Sequence, residues 1–236
     1  MRKHILTAIQ KHAAQEYPKE CCGLIIQNGR KQRYIPCSNT ADKPEEHFRI
    51  PPEEYVVAAD EGDIQFIVHS HPDATSRPSV LDSAQCEATG LPWIIISWPE
   101  GDVRTLVPTG DTPIKDRPFV HGIWDCYALV RDWYKQERGI DLPDFERSDE
   151  WWTRGENLYM RHYAEAGFYS HSGPLEVGDV ILMQYKADET NHAGIYLGDG
   201  KMLHHLYGQR SCIVPYGGVW HERTMLTLRY SNELTK

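Results

Sequence analysis

Gln65-Phe66-Ile67-Val68-His69-Ser70-His71-Pro72, followed by Ser79 and then Asp82, is the stretch that decides how the first half of this chain folds. Phe66-Ile67-Val68 is apolar and rich in β-branched residues, so the run reads as a strand that Pro72 stops. Side chains alternate across a strand, which points His69 and His71 to one face. Ser79-x-x-Asp82 is the start of a capped helix, and Gly90 is its C-terminal signal. Two imidazoles and a carboxylate form a catalytic zinc ligand set, with a fourth position open to water. Capping and ligation are compatible, because a capped helix can present Asp82 to a metal. A base is also in view. Glu20 stands at the start of the apolar run Cys21–Ile26, where it can reach a shared site from a neighbouring strand. A carboxylate placed there can take a proton from water and deliver it to a leaving amine.

Glu20, His69-x-His71-Pro72 and Ser79-x-x-Asp82 together resemble the JAMM (MPN-plus) zinc metallopeptidase motif, over about residues 1–105. The resemblance implies cleavage of peptide or isopeptide bonds. It implies His69, His71 and Asp82 as ligands of Zn2+, Glu20 as general acid/base and Ser79 as the donor to the tetrahedral oxyanion. Asn39 and Phe48-Arg49-Ile50 fall where that family has its Asn…Phe-x-Ile segment.

Residues 1–16 read as an amphipathic helix, with strands near 22–28 and 32–37. Pro51-Pro52 opens a helix to about Asp60, and Leu91–Trp98 is a strand turning at Pro99–Asp102 into Val103–Val107. Pro108–Pro118 carries three prolines, at 108, 113 and 118, and a glycine, without periodicity. This divides the chain into a first domain at 1–107, a linker at 108–117 and a second domain at 118–236.

The 236 residues are 40% hydrophobic with a formal net charge of −9, which argues against a non-specific nucleic-acid surface. No apolar run of eighteen residues is present, so membrane insertion is not expected. No secretory signal is visible, and the six cysteines lack framework spacing, so they read as reduced thiols. Cys21, Cys22 and Cys86 read as small buried apolar residues.

Cys126 stands apart. Asp125-Cys126-Tyr127-Ala128-Leu129-Val130 reads as a helix start with Asp125 as N-cap, and Cys126, Val130, Trp133 and Tyr134 share a face. The helix dipole favours thiolate in the first turn. A thiolate nucleophile needs a histidine, and His192–Leu197 reads as a strand, Gly198-Asp199-Gly200 as a turn, and Lys201–His205 as the return. Residues 174–183 read as a turn feeding another strand. A helix carrying cysteine then packs on an antiparallel sheet carrying histidine. The structural alternative for Cys126 is an inert buried thiol.

Asp125-Cys126-x-x-Leu-Val130, Gly178-Asp179-Val180 and His192-x-Gly-Ile-Tyr-Leu-Gly198 resemble the NlpC-type cell-wall cysteine peptidases of the papain-like superfamily, over about residues 115–215. The resemblance implies Cys126 as nucleophile, His192 as general base and His204 as the residue that orients it. Where the family usually has a tyrosine, this chain has Phe119, without a hydroxyl. A three-residue turn brings His204 to the His192 face; a two-residue Asp199-Gly200 turn shifts the register and brings His205 there instead. His121, His162, His171 and His221 read as surface residues. Trp151-Trp152, with Tyr159 and Tyr163, reads as packing rather than a sugar platform.

The fold class is thus α/β (α+β): a JAMM-type α-β-α domain with a zinc site, then a papain-like NlpC-type domain with a helix on an antiparallel sheet. That domain order resembles the tail assembly protein K family of lambda-like phages. The resemblance implies a tail-tip protein with two hydrolase sites, one for a protein or isopeptide bond and one for peptidoglycan stem peptides. It implies phage tail-tip proteins and peptidoglycan peptides as partners, with residence in the host cytoplasm during assembly and at the virion tail tip. An assembly factor with unused sites, and an enzyme processing ubiquitin-like modifiers in the cytosol, are the competing readings.

Overall fold

Strands buried on both faces read as continuous apolar runs, and Cys22-Gly23-Leu24-Ile25-Ile26 is one of them. In the computed structural model, which describes residues 1–110 and 113–231, this run lies in the middle of a layered first unit, Met1–Gly110. Its elements are α1 (Lys3–Glu16), β1 (Cys22–Asn28), β2 (Lys31–Cys37), α2 (Pro52–Glu61), β3 (Asp63–Pro72), α3 (Val80–Thr89), β4 (Trp93–Trp98) and β5 (Val103–Leu106). The sheet runs β2-β1-β3-β4-β5. Only β3 and β4 are parallel; such a pair needs a crossover, and α3 supplies it.

Alternation along the strands gives each face its own helices. Ile5 and Ile9 of α1 pack on Ile25, Val68, Ile94 and Ile96. Ala58 of α2 and Cys86 of α3 pack on Cys22, Leu24, Ile26, Ile67 and Trp93 of the other face. Each fully buried aliphatic side chain contributes about 1.5–3 kcal/mol. The expected α-β-α layering follows directly from this two-sided burial.

The second unit, from residue 111, contains α4 (Cys126–Arg138), a 3-10 turn (Trp151–Arg154), α5 (Leu158–His162), β6 (Phe168–Ser170), β7 (Val180–Met183), β8 (His192–Gly198), β9 (Lys201–His204), β10 (Cys212–Pro215), α6 (Val219–Glu222) and β11 (Thr224–Tyr230). The antiparallel sheet has the order β10-β9-β8-β7-β11-β6. Leu129, Val130, Trp133 and Tyr134 of α4 pack on Val180, Leu182, Ala193, Ile195, Leu203 and Leu228. Gly139, left-handed at φ 66°, ends the helix.

Part of the stretch that composition marks as a linker is integrated into this unit. Asp116 N–H donates to the Ser211 carbonyl (2.8 Å), Ser211 N–H donates to the Arg117 carbonyl (3.0 Å), and Ile114 packs against the core. Asp111 and Thr112 of the expected linker, and residues 232–236 of the expected second domain, lie outside the described residues. No helix among the described residues is long and apolar enough to cross a membrane.

Candidate active sites

In the first unit, His69 and His71 leave β3 on one face and meet Asp82 from the first turn of α3. Their Nε2 atoms are 3.0 Å apart. Asp82 Oδ1 is 3.2 Å from His69 Nε2, and Oδ2 is 3.3 Å from His71 Nε2. Two ligands held at 2.0–2.1 Å by a tetrahedral ion would be about 3.3 Å apart, so this donor set fits a zinc ion. The tautomer fits as well. His71 Nδ1 lies 2.8 Å from the Thr75 carbonyl oxygen, which can only accept, so Nδ1 carries the proton and Nε2 keeps its lone pair. The His69 ring is wholly buried, stacked on Phe48 at 4.6 Å and edge-on to Trp93. Among the described residues, no other group of three or more His, Cys, Asp or Glu side chains converges in this way.

Capping positions the carboxylate. Asp82 N–H donates to Ser79 Oγ (3.0 Å), and Ser79 N–H donates to Asp82 Oδ2 (2.7 Å). Ser79 is exposed, and its hydroxyl hydrogen is not used in the cap. Burial works against the Asp82 carboxylate, but without a metal the imidazoles of His69 and His71, when they carry a proton on Nε2, hold its pKa well below the usual range. Burial lowers the His69 pKa.

Cys22 pairs with His69 across β1 and β3, so Glu20, two residues earlier, falls on the same face near His71. Glu20 is buried. That burial pushes its carboxyl up to about 8; His71 opposes the rise and Asp82 adds to it. A cation in the cluster would pull it down again. Asn39 anchors the loop around it: its Nδ2 donates to the carbonyls of Glu20 (3.0 Å) and His47 (3.0 Å), and its Oδ1 accepts from Ala41 and Arg49. Phe48 on that loop is the ring stacked on His69.

In the second unit, Asp125 caps α4 by accepting from Ala128 N–H (2.8 Å). Cys126 follows at the first helical position, half-buried, and lines a cavity of about 370 Å³ with Tyr159, Trp151, Trp152, Arg147 and His192. The thiol departs from the sequence expectation. Helix-start geometry favours thiolate, but burial and then the adjacent Asp125 carboxylate push Cys126 up to about 11; hydrogen bonds from Tyr159 and the Ala193 backbone oppose this.

The hairpin after His192 combines both turn readings. Asp199 and Gly200 have φ values of 49° and 65°, the signs a two-residue type I′ turn needs. Gly198 therefore pairs with Lys201, but the register shifts before Tyr196 pairs with Met202, and Gly194 then pairs with His204. The bulge at Leu197 takes up the extra residue and returns His204 to the His192 face. His192 Nε2 lies 3.0 Å from His204 Nδ1. Trp220 meets His204 edge-on at 4.6 Å, and His204 Nε2 faces Cys212 Sγ at 3.6 Å. A Cβ on Gly194 would come within 2.6 Å of Met202 Sδ, so a larger residue there would require Met202 to shift. Burial, then His204 and His205, hold the His192 pKa well below its usual value. His205 points elsewhere, with its Nε2 3.1 Å from the Gln209 carbonyl.

His192 and His204 are thus in contact, while Cys126 and His192 share the cavity. The Cys126 thiol makes a side-chain hydrogen bond with the Tyr159 hydroxyl, at 3.1 Å. Sequence reasoning missed three features here. Tyr159 touches the thiol instead of only packing. His121 and His162, read as surface residues, are half-buried and line the cavity. Arg147 is buried against Asp125, at 2.6 Å. The Asn157 cap marks the start of α5 and so could have placed Tyr159; nothing local in the sequence marks Arg147.

Residues 2–108 match the Prok-JAB family, prokaryotic homologs of the JAB domain, and residues 116–229 match the NlpC/P60 family. The tail tip assembly protein K of Escherichia phage N15 is 50% identical over 234 residues, 98% of this chain and 96% of that protein. The tail tip assembly protein K of Escherichia phage lambda is 37% identical over 176 residues, 73% of this chain and 85% of that protein. A desampylase of Haloferax volcanii is 29% identical over 118 residues, 47% of this chain and 84% of that protein. With a JAB-type unit followed by an NlpC/P60 unit, and near-full-length identity to a phage protein of that kind, the chain belongs to the tail tip assembly protein K family.

Proposed function

We propose that this chain acts at a phage tail tip as a two-site hydrolase whose second unit cleaves peptidoglycan stem peptides. The observation that carries this reading is His192, backed by His204 at 3.0 Å and lining one aromatic cavity with Cys126. Burial keeps His192 neutral, so it can accept the thiol proton. The Cys126 sulfur attacks the scissile carbonyl, His192 returns the proton to the leaving amine, and water then releases the acyl group. His204 holds the His192 ring while its charge changes. Trp151, Trp152 and Phe119 give the cavity the apolar walls that a short peptide needs. The net charge of −9 does not favour an anionic wall, so affinity comes from the cavity and from tail proteins.

The first unit is a zinc-dependent peptidase or isopeptidase in the same proposal, with tail maturation as its setting. His69, His71 and Asp82 would hold Zn2+, which supplies Lewis acidity and lowers the pKa of water. Glu20 would take and return the proton, and the Ser79 hydroxyl would donate to the oxyanion. Purified wall fragments treated with wild type, Cys126→Ala and chelated protein separate the two sites. Peptide release that survives chelation and is lost in Cys126→Ala is the expected result. No release by folded wild type would leave assembly as the chain's role, and loss on chelation alone would move the wall chemistry to the first unit.

A further inference from the structure

The thiol site holds a polar contact that the nucleophile, base and orienting residue leave unused. Tyr159 sets its hydroxyl 3.1 Å from Cys126 Sγ. The ring is fixed in place, edge-on to Trp151 at 6.0 Å and to Tyr127 at 6.3 Å. Its helix is fixed too: Asn157 Oδ1 caps Met160 N–H, and Asn157 Nδ2 donates to Glu189 (2.6 Å). The hydroxyl is thus located by packing at its ring and by a cap at its helix.

The direction of the hydrogen bond follows from the groups. A thiol is a weak donor and its proton must leave for His192, whereas a phenol is a strong donor. Burial, and then the neighbouring thiol, hold the Tyr159 pKa well above its usual value, so the phenol keeps its proton. A bond from O–H to sulfur strengthens as charge grows on the sulfur. Phe119, on the same cavity, offers no hydroxyl for this purpose.

We propose that Tyr159 is a catalytic residue of the thiol site, its hydroxyl donating to Cys126 Sγ and stabilising the thiolate. The proposal rests on the thiol-peptidase reading above. The Cys126 proton moves to His192, and the sulfur lone pair forms the C–S bond as the carbonyl π pair moves to oxygen. When that pair returns, the C–N bond breaks and the amine takes the His192 proton. Tyr159 transfers no proton in either step.

The test uses the full chain with Tyr159→Phe and with 3-fluorotyrosine at 159, a more acidic phenol of nearly the same size. Iodoacetamide labelling of Cys126 is followed against pH by peptide mass, without substrate; kcat and KM are measured on a wall peptide. For Tyr159→Phe, labelling at pH 7 should slow by about 10- to 100-fold, its midpoint should rise by about one to two pH units, and kcat should fall in step with KM little changed. Fluorination should move the midpoint down. A folded Tyr159→Phe variant with the wild-type labelling profile overturns the proposal; if that variant does not fold, an unmoved midpoint in the fluorinated protein does so. Undiminished cleavage by Cys126→Ala would instead overturn the peptidase reading, and labelling would still decide the hydrogen bond.

Discussion

Replacing Asp125 tests whether the start of α4 is held by one buried carboxylate. Asp125 is 2% exposed and accepts from Ala128 N–H (2.8 Å), Gly122 N–H (2.9 Å) and Arg147 Nε (2.6 Å). Loss of the cap costs about 1 kcal/mol. Stranding the buried guanidinium costs about 3–5 kcal/mol, reduced here because Arg147 Nη1 keeps its 2.8 Å bond to Asp144. Asp125→Ala should therefore destabilise the second unit by about 4 kcal/mol, and Asp125→Asn, which keeps the cap, by about 2–3 kcal/mol. Adding Arg147→Met to Asp125→Asn should recover part of the loss, because no charge is then left unpaired. Urea unfolding followed by tryptophan fluorescence measures this, since five of the seven tryptophans lie in the second unit. Burial works against the Asp125 carboxylate, but Arg147 and the N–H donors hold its pKa below the usual value. Its contribution is then complete above about pH 4 and is lost as pH falls further, so the gap between wild type and Asp125→Asn should close there. Loss under about 1 kcal/mol for Asp125→Ala, or a gap that widens in acid, refutes the reasoning.

Other expectations follow from the same contacts. Wild type and Cys126→Ala should each hold about one zinc per chain and the His69→Ala/His71→Ala double variant none, read by elemental analysis; equal zinc in all three would remove the ligand assignment. Burial lowers His204 and His205 to about 4, so the unfolded chain takes up protons first and stability should fall as pH drops from about 6.5 towards 4, by at most about 3 kcal/mol for each imidazole. His204→Gln should flatten that decline in hydrogen exchange of β8 and β9; an unchanged slope counts against it.

Local periodicity made most of the first unit legible. His69 and His71 had to share a face because strands alternate, and Ser79 and Asp82 had to start a helix because the capping pattern is short-range. The second unit was legible where its signals were local: Asp125 as a cap, Cys126 after it, His192 at a strand start. The His204 register was not, because Asp199-Gly200 and the bulge at Leu197 offset each other and only the full sheet shows both. Tyr159 lies 33 residues beyond Cys126 and Arg147 is 22 beyond Asp125; such pairings depend on how the intervening chain packs. The thiol followed neither simple rule, because the helix start and burial pull its pKa in opposite directions.

The most direct measurement is the mass of the acyl-enzyme. The full chain is mixed with a D-amino-acid-containing stem peptide, quenched in acid and digested, and the Cys126 peptide is weighed. The account predicts a thioester on Cys126 that accumulates in His192→Ala far more slowly than in wild type, and no acyl group at position 126 in Cys126→Ala. Stem-peptide cleavage by wild type with no acyl group on Cys126, and no loss of rate in His192→Ala, would contradict it.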